Sequence, residues 1–124
     1  MIKVQQIFNS ISILQKILEV NMPIQKAYKI SKLIKQIEEQ QQFFSKEEQK
    51  LVAKFNGQIG EQGQITFNNV EDQIKFLQAH TEFLNYEIPD MQSIELTFAD
   101  VEGAQFTAKD ILLLEGVIDF KEDA

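Results

Sequence analysis

The feature that most constrains this chain is a helical pattern of apolar residues that runs from residue 24 to residue 55. The apolar positions recur at three- and four-residue steps, which is the spacing of an α-helix with one buried face. At 1.5 Å per residue, an unbroken helix of this length would span about 50 Å, more than the width of a small domain. We therefore expect part of it to project or to pair with another chain.

Two signals bear on where this helix begins and whether it is continuous. Pro23 precedes the pattern, and proline suits the first helical position because the amide hydrogen that it lacks would have no partner there. Ser45, followed three residues later by Glu48, resembles a capping box, which marks a helix start. A break near residues 43–45 is therefore an alternative to one continuous helix.

A shorter helix is predicted ahead of the long one. Between residues 5 and 19, apolar side chains again recur at helical spacing and form one stripe. Residues 2–4 suit either a very short edge strand or the start of this helix. Together the two helices predict a helical hairpin over residues 1–55, with a long second helix.

The rest of the chain predicts a small body of short strands and two helices at residues 56–120, followed by a polar tail at 121–124. Asn56 and Gly57 end the helical region, and further glycines mark a turn-rich stretch. Asn69 and the pair Thr107 and Asp110 are suited to cap two helices. The predicted elements are a strand at 64–67, helices at 70–85 and 108–115, a strand at 93–98 and a last strand or helical turn at 117–120. The fold class is α+β, in a single domain of residues 1–124.

Two of these elements have a predicted apolar side. In the strand at 93–98, Ile94, Leu96 and Phe98 alternate with polar residues and therefore share one face. The predicted apolar face of the helix at 70–85 comprises Val70, Ile74, Leu77, Thr81 and Leu84, widened by Phe76 and Phe83. We expect both faces to pack toward the interior.

Composition excludes several classes of site. The chain contains no cysteine, so disulfide scaffolds, thiolate zinc sites, iron–sulfur clusters and cysteine nucleophiles are excluded. No apolar run reaches the roughly 18 residues that a membrane helix needs, and the first residues do not read as a secretory signal. With 44% apolar and 25% charged residues, we expect a soluble cytoplasmic protein that does not bind membranes.

Charge is divided unevenly along the chain. Residues 1–55 contain nine lysines and five acidic residues, whereas residues 56–124 contain three lysines and fourteen acidic residues. There is no arginine, which lowers the expectation of sequence-specific DNA readout or of a phosphoryl clamp, although an AT-rich genome would also favour lysine. The asymmetry suits a basic docking face beside an acidic body, or two copies packed basic region against acidic region, but a solvated helix next to a soluble acidic domain is the preferred explanation.

The order of these features resembles a family of small proteins encoded by phages of Gram-positive bacteria. Residues 22–32, MPIQKAYKISK, match a pattern of proline followed by Ala-Tyr-Lys-Ile-Ser-Lys and a long charged helix. Residues 51–57, LVAKFNG, a Gly-rich loop, a late Ile-x-Leu strand, the helix at 107–114 and the apolar segment at 117–120 extend the likeness over most of the chain. Phe55 and Asn56 depart from it, because the family often has an aromatic residue followed directly by glycine.

The function of that family is unassigned, so the resemblance implies a viral origin and a fold and carries over no functional residue. The residues themselves also predict no catalytic, cofactor-binding or metal-binding group. His80, the single histidine, has no set of neighbouring ligands and is interpreted as a helix-surface residue. Gly57, Gly60 and Gly63 are not followed by Lys-Ser/Thr and therefore do not form a phosphate-binding loop.

The leading hypothesis is a non-enzymatic phage protein that acts through protein–protein contact. It would assist virion or tail assembly, or inhibit a host factor such as a defence protein, in the host cytoplasm or as part of the virion. A homo-oligomer is also expected, since the hairpin has apolar surface to cover. The predicted interface is the hairpin stripe, namely Ile7, Phe8, Ile11, Leu14, Tyr28, Ile34 and Phe44.

The alternative is a nucleic-acid-binding accessory protein that uses a row of lysines on the second helix. These residues are Lys26, Lys29, Lys32 and Lys35. Lysines that neutralise phosphates give binding that weakens with salt. The net charge of −7 and the absence of arginine argue against this partner. An enzyme ranks third, because it would need a pocket with perturbed carboxylates.

Overall fold

The computed structural model describes residues 2–122, which form four α-helices, a 3₁₀ turn and four short strands. In chain order these are α1 (Val4–Leu18), α2 (Ile24–Lys54), β1 (Gly57–Ile59), β2 (Ile65–Phe67), α3 (Val70–Leu84), β3 (Ile94–Thr97), the 3₁₀ turn (Ala99–Val101), α4 (Ala108–Leu113) and β4 (Ile118–Lys121). This confirms the α+β class, with a long second helix after a shorter first one. Of the predicted tail, Lys121 belongs to β4, and residues 123–124 lie outside the described residues.

The start of the chain combines the two roles that the sequence left open. Helix α1 begins at Val4, and the preceding Lys3 forms an isolated antiparallel bridge with Glu87. The Ile88 amide donates to the Ile2 carbonyl at 2.8 Å, and the Val4 amide donates to the Tyr86 carbonyl at 3.1 Å. These bonds attach the first turn of α1 to the segment that follows α3.

Helix α2 is continuous over 31 residues, so the alternative of a break near residues 43–45 is wrong. The Ser45 hydroxyl accepts a hydrogen bond from the Gln41 side chain one turn earlier instead of capping a new helix. Pro23 precedes the helix rather than occupying its first position, and its carbonyl accepts from the Lys26 and Ala27 amides. After α2 the chain turns at Asn56, whose φ is 61°, a left-handed conformation that asparagine tolerates.

The main core lies between α1, the first half of α2 and the C-terminal strands. Fully buried side chains from each of these elements form one cluster, including Leu14, Ile37, Leu96 and Val117. Strands β3 and β4 pair in parallel, in the register Ile94 to Ile118, and the 3₁₀ turn and α4 connect them. Apolar stripes on the two helices therefore meet each other and the small sheet.

The second half of α2 is covered by the hairpin of β1 and β2 and by α3, which explains how a small domain accommodates so long a helix. Strand β1, which the sequence did not predict, pairs antiparallel with β2. Val52 of α2 and Phe76 of α3 are buried here, and the rings of Phe67 and Phe76 lie 5.1 Å apart. The expected overhang thus packs against this chain's own residues on one side.

Two predicted apolar faces differ in the structure. Helix α3 buries Phe76 and half-buries Phe83, whereas Val70, Ile74 and Leu77 are exposed. The two phenylalanines offer more apolar area to the core, which favours their side of the helix. Phe98 also leaves its predicted strand face, since β3 ends at Thr97, and its half-exposed ring stacks on Phe120 at 5.8 Å.

Two aspartates fasten the C-terminal body to the hairpin. Asp110 accepts hydrogen bonds from Lys16 Nζ at 2.7 Å and from the Thr107 amide at 3.1 Å, which confirms the predicted cap of α4. Asp100 accepts from Lys26 Nζ at 2.7 Å and from the Thr97 amide at 2.8 Å. These hydrogen bonds hold the pKa of each carboxyl below its ordinary value of 3.8. The largest contribution comes from the lysine side chain, and the next comes from the backbone amide.

These carboxyls predict an acid-sensitive fold. A carboxyl whose pKa is lower in the folded state stabilises the protein above its unfolded pKa, and the stabilisation disappears as the pH falls toward the folded pKa. We expect the thermal midpoint to fall as the pH is lowered below about 4, and the Asp100→Asn/Asp110→Asn variant to lose less on the same acidification. Thermal unfolding between pH 2.5 and 7 measures this. Glu102→Gln, a substitution at an exposed position nearby, should keep the wild-type dependence of the thermal midpoint on pH. If the aspartate variant and the wild type showed the same dependence, Asp100 and Asp110 would not be the source of the acid sensitivity.

Candidate protein-binding groove

The structure places most of the predicted hairpin interface inside the protein. Ile7, Leu14, Ile34 and Phe44 are buried in the main core, and Phe8 and Ile11 are half-buried against it. Tyr28 is the exception, with 68% of its surface exposed. Ile7, Leu14 and Ile34 are used to pack α1 on α2 and are therefore not available to a partner.

The four predicted lysines do not form a row on one face of α2. At 3.6 residues per turn, Lys29 lies about 60° around the helix from Lys26, and Lys35 lies about 180° from it. Lys26 also forms an ion pair with Asp100 at 2.7 Å. With Lys29 it lines a cleft beside β3 that includes the carboxylate-bearing Glu95. The acidic side chains of Asp100 and Glu95 therefore lie close to the lysines in the first turns of α2.

A larger groove lies on the second half of α2. Its volume is about 730 Å³, and one wall is α2 while the other is the end of α3 with the segment that follows it. The apolar part of its lining comes from Phe43, Phe44, Leu51, Phe83, Tyr86, Ile88 and Pro89. The polar part comes from Gln40, Glu47, Lys50, Lys54 and Asp90. We call this the α2 groove.

The α2 wall of the groove has the spacing of a helix-packing seam. Gln40, Phe44, Glu47, Leu51 and Lys54 follow one another at alternating steps of four and three residues. This alternation is how one α-helix presents a continuous line of side chains to another helix along its length. The seam extends over about 21 Å, or four helical turns. A groove with such a wall is shaped for an α-helix.

Aromatic rings form the floor of the α2 groove. The Phe44 ring lies 5.9 Å from Phe83, 6.2 Å from Tyr86 and 5.1 Å from Phe43. Phe44 is buried and anchors the others, while Phe43 is 55% exposed and Tyr86 is 49% exposed. Large aromatic side chains that remain half-exposed around a buried ring are typical of protein-binding surfaces.

His80 stands behind this floor and is not the surface residue that the sequence predicted. Its ring stacks on Phe76 at 4.9 Å and on Phe83 at 6.0 Å, and Nε2 lies 2.9 Å from the Glu48 carboxylate of α2. Only 22% of its side chain is exposed. The histidine thus joins α3 to α2 and fixes Phe83 in the groove wall.

The rim of the α2 groove carries charge. Lys50 and Lys54 line the groove four residues apart on α2, and Glu47 and Asp90 line it as well. Lys50 forms an exposed pair with Glu47 at 3.1 Å, and Lys54 Nζ lies 5.7 Å from the centre of the Phe55 ring. The end of the groove nearest the C-terminus of α2 is therefore basic.

Sequence reasoning did not identify Phe43 or Tyr86 as interface residues. A signal was present for Phe43, because adjacent residues on a helix point about 100° apart. Phe43 and Phe44 therefore face different directions, although an apolar face can be wide enough to bury two neighbours, as it does Leu33 and Ile34. No such signal exists for Tyr86, whose place in the groove depends on how the segment after α3 folds back onto α2.

Within residues 2–122, no three His, Asp or Glu side chains lie close enough together to hold a metal ion. Over the same residues, none of the helices combines the length and the apolar character that spanning a membrane would require. Comparison with protein-family models, with curated proteins and with solved structures found no match.

Proposed function

We propose that this chain is a non-enzymatic protein that acts through protein–protein contact, by binding an amphipathic helix of a partner in the α2 groove. The observation that carries the proposal is the helix-packing seam on the α2 wall of the groove, which lies beside the half-exposed rings of Phe43 and Tyr86. Helix-in-groove recognition uses apolar anchors at three- and four-residue steps, and the seam offers complementary positions.

The biological setting of the proposal comes from the sequence resemblance. A phage protein with one helix-binding groove would either join components during virion or tail assembly or occupy a surface of a host factor. Both roles place the protein in the cytoplasm of the infected cell. The identity of the captured partner separates them.

Protein binding is favoured over nucleic-acid binding by the arrangement of charges. The four lysines are spread around α2, and Lys26 is neutralised by Asp100. Glu95 stands in the same cleft as Lys29. A nucleic-acid surface needs lysines gathered on one face so that they neutralise neighbouring phosphates.

A paired-variant capture experiment tests the proposed function. Tagged wild type, Phe43→Lys and Ile24→Lys are used to capture proteins from infected and uninfected host lysates, and the captured proteins are identified by mass spectrometry. Both substitutions place a lysine at an exposed apolar position of α2, but Ile24 lies about 28 Å along the helix from Phe43. We expect Phe43→Lys to lose at least about tenfold of the captured partner and Ile24→Lys to retain it.

The nature of the captured protein decides the role. A virion or tail protein recovered only after infection indicates assembly, and a host protein recovered from both lysates indicates an inhibitor. Equal capture by wild type and Phe43→Lys would refute the groove as the binding site. Capture of nucleic acid that is lost at high salt, with no protein sensitive to Phe43→Lys, would favour the alternative.

A further inference from the structure

The outer face of α3 carries an apolar row with no partner among the described residues. Val70, Ile74 and Leu77 occupy positions i, i+4 and i+7, and 68%, 51% and 53% of their surfaces are exposed. Three large apolar side chains at this spacing form a continuous stripe on one side of a helix. We call these three residues the α3 stripe.

The α3 stripe has the spacing that the α2 groove accepts. Its steps of four and three residues equal the steps along the seam on α2, so the two lines of side chains can interdigitate. Glu71 stands beside the stripe in the first turn of α3, where its side chain is 79% exposed and forms an exposed ion pair with Lys75 at 3.5 Å. Lys50 and Lys54 line the basic end of the groove. Packing the stripe in the groove with Glu71 near these lysines brings opposite charges together.

The two surfaces cannot meet within one molecule. On another side of α3, Phe83 contacts Phe44 of α2 and Phe76 packs on Phe67 of β2, so the stripe of the same chain faces away. A second copy offers both surfaces to the first without any rearrangement. Helix α3, from the acidic second half of one chain, would then contact the α2 wall, from the more basic first half of the other.

We propose that the α2 groove of one copy binds the α3 stripe of a second copy. The inference rests on the groove being a helix-binding site, as in the proposed function, and adds that self-association and partner binding compete for it. The contact is heterologous, because it joins two different surfaces. It closes into a dimer if each copy fills the groove of the other, and otherwise forms a ring or a chain.

Mixing two variants tests this arrangement. Phe43→Lys damages the groove but keeps the stripe, and Ile74→Lys damages the stripe but keeps the groove. We expect each variant alone to be monomeric at protein concentrations where wild type and Ile24→Lys are associated. An equimolar mixture of the two should form a heterodimer, since one intact groove and one intact stripe remain. Sedimentation velocity measures all five samples, and far-UV circular dichroism verifies that each variant is folded.

The outcomes are distinct. A wild type that is monomeric at all concentrations, an Ile74→Lys variant that associates like wild type, or a mixture that stays monomeric would each overturn the inference. Association that Ile74→Lys weakens at least about tenfold and that mixing restores supports it.

The capture experiment separates this inference from the proposed function. If both hold, Ile74→Lys captures more partner than wild type, because its groove is no longer occupied by a second copy. If the groove binds a partner but not a second copy, Ile74→Lys captures the same amount as wild type, which overturns the inference alone. If no protein depends on Phe43, the proposed function fails, while the mixing result still decides the self-association.

Discussion

Replacing Ile37 by alanine should lower the free energy of unfolding by about 3 kcal/mol. Ile37 lies in the middle of α2, is fully buried and belongs to the main core between α1 and α2. Removing three carbon atoms there loses apolar burial and leaves a cavity that neighbouring helices cannot close completely. Urea unfolding followed by circular dichroism at 222 nm measures the change.

The matched control is Ile24→Ala on the same helix. Ile24 is 84% exposed, so the same change of side chain should alter the free energy of unfolding by less than about 0.5 kcal/mol. Both positions change from isoleucine to alanine, so the comparison keeps the side-chain change constant while burial differs. Equal losses at the two positions would contradict the packing of α1 on α2.

Replacing Gly57 by alanine should destabilise the protein by about 2 kcal/mol, through overpacking rather than through a cavity. A Cβ atom at Gly57 would lie 2.7 Å from Cε1 of Phe67 and 2.8 Å from Cγ1 of Val52. Val52 is buried and the Phe67 ring packs on Phe76, so neither atom can move away without disturbing its neighbours. Urea unfolding reports the loss.

Gly103→Ala is the control for this second change. A Cβ atom at Gly103 would have no other atom within 4 Å, and its backbone φ is not positive. Alanine restricts the unfolded chain more than glycine does, so Gly103→Ala should leave the stability unchanged or raise it by up to about 1 kcal/mol. If Gly57→Ala changed the free energy of unfolding as little as Gly103→Ala does, that result would contradict the close contact between the β1–β2 hairpin and α2.

Local signals allowed much of the fold to be predicted. Asn69 caps α3 and Thr107 with Asp110 caps α4 as expected, because a cap depends on residues only three positions apart. Ser45 and Glu48 have the same spacing as a capping box, but the helix start that they predict is absent because α2 continues through them. Packing of α2 against α3 and the hairpin outweighs so small a local preference, and the Glu48 side chain contacts His80 instead.

The choice between faces of a helix could not be made from spacing alone. The predicted apolar face of α3 included both the side with Ile74 and the side with Phe76, and only the surrounding elements decide which of the two is buried. The same limit affected the hairpin stripe, whose members Ile34 and Phe44 were predicted to face a partner. A charged residue at either position would be expected to unfold the protein, so such a variant could not report on binding.

The α2 groove was beyond sequence reasoning for a different reason. Its walls come from residues 40–54 and 83–90, which are separated by the β1–β2 hairpin and most of α3. No local sequence pattern indicates that these two distant segments come together. The hydrogen bonds between Ile2, Val4, Tyr86 and Ile88 bring the second wall into place, and they form only when the whole chain folds.

The unbroken course of α2 has one more consequence. Helix α2 contributes to two sites, the cleft at Lys26 and Lys29 and the α2 groove. The centres of the two sites are about 20 residues apart along the helix. A straight helix of that length separates them by about 30 Å. No proline or glycine lies between them, so α2 fixes both the distance between the two sites and their relative orientation around the helix axis. Any molecule that touches both places must carry two contact points at that distance.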